Sequence, residues 1–298
     1  MSKNRNIFLI KLKRRLESLW VFIKLLLKNK LTGIAFFAIV LLTVTAIFAP
    51  WISPYPDQGQ GQVNLEEKFQ PPSTKHIFGT DELGRDILSR VIFGTRISLV
   101  ISTITIVLAL VIALPLGLLA GYHGGMVDEI IMRITDVFLS FPPLMIAIVI
   151  ASFLGPSLTN AVIAIAVAWW PWYTRIIRAQ VMSIREKPFV KASNCIGTNK
   201  WVILLSHILP NTISPVIIQA SMDMGGVILT AASLSFIGLG AQAPTPEWGL
   251  IISTARTYII DAWWYSAFPG LMIFITVLSF NLLGDGFREV FDPRTRVR

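Results

Sequence analysis

The sequence predicts an all-α integral membrane protein with six transmembrane helices. Hydrophobic residues fill 54% of the 298 positions and charged residues only 14%, where a soluble domain carries about 25% charged residues; mean hydropathy is +0.66. The apolar residues arrive in uncharged runs of membrane-spanning length, and Lys and Arg gather in alternate connections between those runs. A soluble enzyme and a disordered chain are excluded. The single cysteine, Cys195, cannot build a disulfide framework, and the three histidines, His76, His123 and His207, are too scattered to read as a metal-ligand cluster.

Each element follows from a length rule: a helix rising about 1.5 Å per residue needs about 20 residues to cross about 30 Å of hydrocarbon. Residues 1–30 hold nine Lys/Arg and one acid, Glu17, with Leu12, Leu16, Trp20 and Ile23 between the charges, which predicts a basic interfacial helix on the cytoplasmic side. Residues 31–52 form the first span. Its apolar run reaches Ala49 before Pro50 and exceeds the ~7–15 residues of a signal-peptide core. Residues 53–95, rich in Pro, Gly and Gln at their start, form an extracytoplasmic loop. Its second half carries Gly79, Asp81, Gly84, Arg85, Asp86 and Arg90. The Asp81/Arg85 and Asp86/Arg90 spacings, taken alone, describe the solvated face of a short surface helix.

The second span falls inside 97–127, where Gly117 and Gly121 make a GxxxG packing motif. The uncharged stretch Val137 to Thr174 is cut by Leu154-Gly155-Pro156-Ser157 into a third and a fourth helix of about 18 residues each. The fifth and sixth spans occupy about 211–236 and about 262–284 by the same rule. With both termini cytoplasmic, the inner segments hold twenty Lys/Arg against six outside, so the net charge of +9 is a topology signal.

The inner connection between the fourth and fifth spans, residues 175–208, is too long for a turn and too apolar for disorder. Ile184, Phe189, Val190, Ile196 and Trp201 fit a folded helix pair with an interaction patch, although helices lying on lipid headgroups share that pattern. In the fifth span Asp223 is an acid that costs about 2.5–3.5 kcal/mol at the bilayer centre, which makes it a pore-lining candidate. Trp248, Trp263 and Trp264 fit an interfacial aromatic belt. A GxxxxGK[ST] phosphate loop and an HExxH site are both absent from the sequence. No internal repeat of the secondary-transporter kind is visible. Six helices and one docking loop suggest half of a pore whose energy source lies on another chain.

The residues now become recognisable. Lys191-Ala192-Ser193-Asn-Cys-Ile-Gly197, followed after nine residues by His207-Ile-Leu209-Pro210, resembles the EAA-x3-G-x9-I-x-L-P loop of bacterial ABC importer permeases. Lys191 stands where that motif has an acid, Ser193 where it has its second Ala, and His207 where it has Ile. Phe78 to Leu99, Asp128 to Pro142, Ser233 to Gly249 and Phe268 to Arg294 are similar to the C-type subunit of the dipeptide/oligopeptide branch. The resemblance covers nearly the whole chain.

It implies a type I ABC importer permease fold, with a transmembrane type-1 domain over 96–287 and a cytoplasmic tail over 288–298. It further implies a bacterial or archaeal cell (inner) membrane location and no catalytic residue or metal site on this chain. ATP and Mg would sit on two partner ABC ATPase subunits. A second, B-type permease and an extracytoplasmic substrate-binding protein complete the implied assembly; lipid is a partner and nucleic acid is not. Lys191, Ala192, Ser193, Gly197, His207, Leu209 and Pro210 would carry ATPase coupling, with Gly197 supplying the tight turn and Leu209-Pro210 ending the docking helix. Di- and oligopeptides are the implied cargo. Import of nickel or another small solute, and a standalone secondary transporter or channel using Asp223, are the competing readings.

Overall fold

The structure, a computed structural model, describes residues 24–291. Most of the expected N-terminal interfacial helix and of the 288–298 tail lies outside these residues. Among the described residues there are helices, turns and one isolated antiparallel bridge, Thr80 to Asp86. Nine helices among the described residues carry the architecture: α1 Lys30–Ile47, α2 Ile87–His123, α3 Gly125–Leu139, α4 Pro143–Leu154, α5 Leu158–Arg185, α6 Pro188–Cys195, α7 Lys200–Phe236, α8 Trp248–Ala255 and α9 Trp263–Phe291. This is the outcome hydrocarbon imposes, because a helix satisfies its own backbone polar groups where no water can.

Four of them, α1, α2, α7 and α9, are long and apolar enough to cross a membrane, and α3 with α4 makes a fifth if the bent pair is one span. The expected third helix is therefore not a straight span. α3 and α4 meet at 86°, because Pro142 takes an extended ψ of 132° and Pro143 restarts the helix at its first turn. Proline also pushes its predecessor out of the helical region, so two in succession end α3. α4 alone has 12 residues, about 18 Å of helix, short of the hydrocarbon thickness.

Three further boundaries differ from expectation. α2 begins at Ile87 rather than near residue 97, capped by the Asp86 carboxylate accepting from the Ser89 amide. α5 runs on to Arg185, through the charged residues assigned to the connecting loop. Leu209-Pro210 does not end a docking helix either. The chain stays helical from Lys200 to Phe236 by widening to π geometry over Ile203–Ile208, where the Leu209 amide donates to the Leu204 carbonyl. Pro210, which cannot donate, then stands in the first turn of the resumed α-helix.

One core joins α2, α4, α5 and α7 through Ala109, Ala113, Ala151, Ile165, Ile177, Val227 and Leu234. A second joins α8 and α9 to the start of α2 through Ile87, Val91, Ile251, Ile273 and Phe280. The most extensive helix contact is α2 on α5, and it rests on the GxxxG pair. A Cβ at Gly117 would fall 2.7 Å from Ile177 Cβ, and one at Gly121 would fall 2.7 Å from Val181 Cβ and 2.8 Å from the Arg178 carbonyl oxygen. Without a hydrophobic drive between helices in lipid, such backbone approach is what dispersion can use. Gly121→Leu should separate the two helices at a cost of about 1–3 kcal/mol; a lower thermal midpoint of the detergent-purified protein checks this, and an unchanged midpoint contradicts it.

Candidate functional site

Chemistry-bearing residues collect in three places: the basic end of the bundle, the opposite end, and one point midway along α7.

At the basic end α5 gives way to α6 at Lys187, and Val190 is buried with Ile184, Ile203 and Ile208. Lys191 and Ala192 face solvent, and the Ser193 hydroxyl donates to the Phe189 carbonyl at 2.9 Å. The Lys191 ammonium pairs with the Glu186 carboxylate at 2.9 Å and holds that carboxyl below its ordinary range. Gly197 reverses the chain at φ +75° with open space around it, a conformation glycine adopts without steric cost. Asn199 then caps α7, its side-chain oxygen accepting from the Trp201 amide at 2.9 Å. Half-buried His207 lies in the π segment with its ring edge-on to Phe189; Leu209 is half-buried and Pro210 exposed. The turn thus brings α6 and the start of α7 together and leaves Ile196 82%, Trp201 60%, Leu205 55% and Phe189 44% exposed.

This face is anchored to the bundle by charge. Arg178 donates to both carboxylate oxygens of Asp128, and Arg175 pairs with Asp136, tying α3 to α5. Arg185 donates to the Tyr122 carbonyl at 2.9 Å, near the C-terminus of α2, where a cation is favoured by the helix dipole. The Tyr122 hydroxyl reaches the Asn194 side chain at 3.5 Å. Sequence reasoning missed these pairs, since only a contact between distant helices selects Asp128 and Arg178 from the other charges.

At the opposite end the charged motif is not the solvated face of a surface helix. Asp81, Arg85, Asp86 and Arg90 are all buried. Asp81 accepts from the Leu83 and Arg85 amides at 2.9 Å and from Arg85 Nε at 2.7 Å, with Arg90 Nε at 3.5 Å. Gly79 and Gly84 sit at φ +76° and +70° and fold the segment into turns, so the i, i+4 spacing closes a loop around one carboxylate. His76 bridges Asp86 (2.8 Å) and Glu67 (3.0 Å); the Lys75 ammonium on Glu67 holds that carboxyl below its ordinary range, against the opposing effect of burial. The Glu82 carboxylate accepts from the Tyr265 hydroxyl of α9, and Trp264 Nε1 donates to the Thr80 carbonyl at 3.3 Å.

Two of the belt tryptophans are core residues instead. Trp248 is fully buried, its Nε1 donating to the Val91 carbonyl of α2 at 3.1 Å, and Trp264 is buried as well. Their polar tips find backbone acceptors inside the fold and so have no need of the interface; Trp263 is exposed. Glu247, buried at the N-terminus of α8, accepts from the Gly249 and Leu250 amides at 3.0 and 2.9 Å, while burial pushes its carboxyl above the ordinary range.

Midway along α7, Asp223 is half-buried and accepts from Gln219 Nε2 at 3.0 Å. The fully buried Tyr173 of α5 places its hydroxyl beside it.

A long bundle with an apolar reversal at one end and a stapled loop at the other has counterparts. A family model described as a binding-protein-dependent transport system inner membrane component matches residues 113–297. The chain belongs to that family. A second model, the N-terminal transmembrane domain of oligopeptide transport permease C, matches residues 18–72, so the permease is of the C type expected from the sequence. It is 44% identical to the probable D,D-dipeptide transport system permease protein DdpC of Escherichia coli K12, over 86% of this chain and 85% of that one. It is 43% identical to the dipeptide transport system permease protein DppC of Alkalihalophilus pseudofirmus, over 92% and 89%. Identity to the glutathione transport system permease protein GsiD of Pectobacterium atrosepticum is 41%, over 87% and 85%. Among solved structures, a chain of the MetNI methionine ABC transporter matches with a TM-score of 0.55 at 18% identity, covering 69% of this permease and 98% of that chain; this likeness shows the fold alone.

Removing one partner of a buried charge pair costs about 3–5 kcal/mol, whereas an exposed pair contributes about 0–1. Asp81→Asn in the permease should therefore open the 53–86 segment to protease at least about tenfold faster, while Glu129→Gln, whose pair with Arg133 is exposed, should leave the cleavage rate unchanged. Equal rates for the two variants would contradict the burial argument.

Proposed function

We propose that this permease forms half of the translocation pore of an ATP-driven importer of di- and oligopeptides. The observation that carries the coupling role is the apolar reversal at Gly197: Ile196, Trp201 and Leu205 project from a turn whose other side is locked into the bundle, so a force applied there reaches α5 and α7 directly. Large apolar groups left facing water mark a docking surface, and the resemblance to the EAA loop supports a P-loop ATPase as its occupant. Lys191, Ala192, Ser193, Gly197, His207, Leu209 and Pro210 form or flank that contact. Lys191 in place of an acid makes its ion pair within the chain, to Glu186, so docking rests on apolar contact more than on a charge at that position.

Counting the bent α3–α4 pair as one crossing and adding α5, whose residues 158–174 are uncharged, gives six spans with both ends cytoplasmic. This agrees with the distribution of Lys and Arg. The remaining partners are a B-type permease, two ABC ATPase subunits and an extracytoplasmic binding protein, in a bacterial or archaeal inner membrane. ATP and Mg act on the ATPase subunits, and this chain is non-catalytic. Peptide as cargo is supported by the dipeptide permeases at 42–44% identity. Closure of the ATPase dimer would bring the two permeases' coupling turns together and tilt their bundles between two states, a bistable element biased from a remote site.

Purification of the tagged chain from its host in mild detergent should recover a second permease and P-loop ATPases; a stable homo-oligomer without an ATPase would contradict the proposal. Ile196→Asp changes an exposed residue and should leave the chain in the membrane while lowering ATP-dependent peptide uptake by at least about tenfold. That factor is the loss of about 1.4 kcal/mol of docking energy, and uptake at the unmodified rate would remove the turn from the mechanism.

A further inference from the structure

Asp223 stands midway along a membrane-spanning helix, and among the described residues no Lys, Arg or His lies within ion-pair distance of it. Gln219 satisfies Oδ1 through one neutral hydrogen bond. Oδ2 has no well-formed hydrogen bond, and neither has the hydroxyl of Tyr173, a fully buried side chain directed at the same carboxylate. A third group lines the place. A Cβ on Gly226, about one helical turn beyond Asp223, would lie 3.9 Å from Trp169 Cζ2, and Trp169 is one turn before Tyr173 on α5. The site is thus a carboxylate oxygen and a phenol oxygen that face each other without a well-formed hydrogen bond, about one helical turn from an indole. It is half-open at Asp223 and closed behind by Tyr173.

Such a set is complementary to a small cation with hydrogens to donate. A carboxylate in low dielectric takes up a proton or a compensating positive charge, a phenol oxygen keeps a lone pair free to accept, and an aromatic ring nearby favours ammonium. A primary ammonium meets all three with its three N–H bonds. We propose that Asp223, Tyr173 and Trp169 form a station in the pore for the free α-ammonium group of the transported peptide. This rests on the reading of the permease as a peptide importer and adds to it the end of the peptide that the pore recognises.

The test is a double-mutant cycle between protein and cargo. The complex purified with this chain, reconstituted in liposomes with its binding protein, is supplied with radiolabelled trialanine or with the same peptide lacking its amino group. Because one binding protein serves every variant, its own preference cancels. Asp223→Asn should lower trialanine uptake at least about tenfold more than uptake of the des-amino peptide; Asp223→Glu should restore the difference, and Tyr173→Phe should lose part of it. Equal losses for both peptides would overturn the proposal. Should des-amino uptake fall below detection, equilibrium binding of trialanine to the solubilised complex without binding protein decides, with equal binding by wild type and Asp223→Asn again overturning it. Import of neither peptide by the wild-type complex would refute the peptide reading itself, and the ammonium ligand with it.

Discussion

Hydrocarbon hydrates neither charge nor an open peptide group, and the rest of this structure follows from that constraint. It makes every span a helix, because only intrachain hydrogen bonds remain available. It also drives ionisable residues to the two ends of the bundle, where they are paired: Asp128 with Arg178 at one end, Asp81 with Arg85 and Arg90 at the other. Asp128–Arg178 and Asp81–Arg90 connect separate segments, and Asp81–Arg85 closes the turn within the loop. At the basic end the pairs join α3 to α5, below the Gly197 turn. At the far end they fold a Pro- and Gly-rich loop onto the starts of α2 and α9.

The segregation is violated in two places. Apolar side chains face water at Ile196, Trp201 and Leu205, and an acid sits midway along α7 at Asp223. Both violations are relieved when another surface or group supplies what is missing: an apolar partner in the first case, a proton or a positive charge in the second. The two lie on one helix, since α7 begins just after the Gly197 turn and carries Asp223 further along, beside Tyr173 of α5. The π segment at Ile203–Ile208 is the local irregularity in that connection, a kind of distortion that recurs at functional positions in helices.

Much of this was legible in the sequence, because the strongest signals are local. The spans at α1, α2, α7 and α9 follow from uncharged length, and the close crossing at Gly117 and Gly121 from the motif itself. The positive φ at Gly197 matches the turn that the resemblance to the EAA loop assigned there. What escaped depends on contacts between residues distant in the chain. The spacing of Asp81, Arg85, Asp86 and Arg90 looks helical until Gly79 and Gly84 are seen to bend the backbone and Trp264 and Tyr265 to cover it. Trp248 has the composition of a belt residue and becomes a core residue because Val91 offers its carbonyl. Pro142-Pro143 was visible in the sequence, but a search for uncharged length passes over a helix break that carries no charge.

Cys195, the sole cysteine of the sequence and exposed at the end of α6, provides the most direct measurement of the central claim. A photoreactive probe attached there in the native membrane complex, followed by mass spectrometry of the adducts, reports what the coupling turn touches. The account predicts adducts on a P-loop ATPase subunit that change in yield when ATP is added. Adducts on lipid or on a second copy of this chain alone, insensitive to ATP, would contradict it.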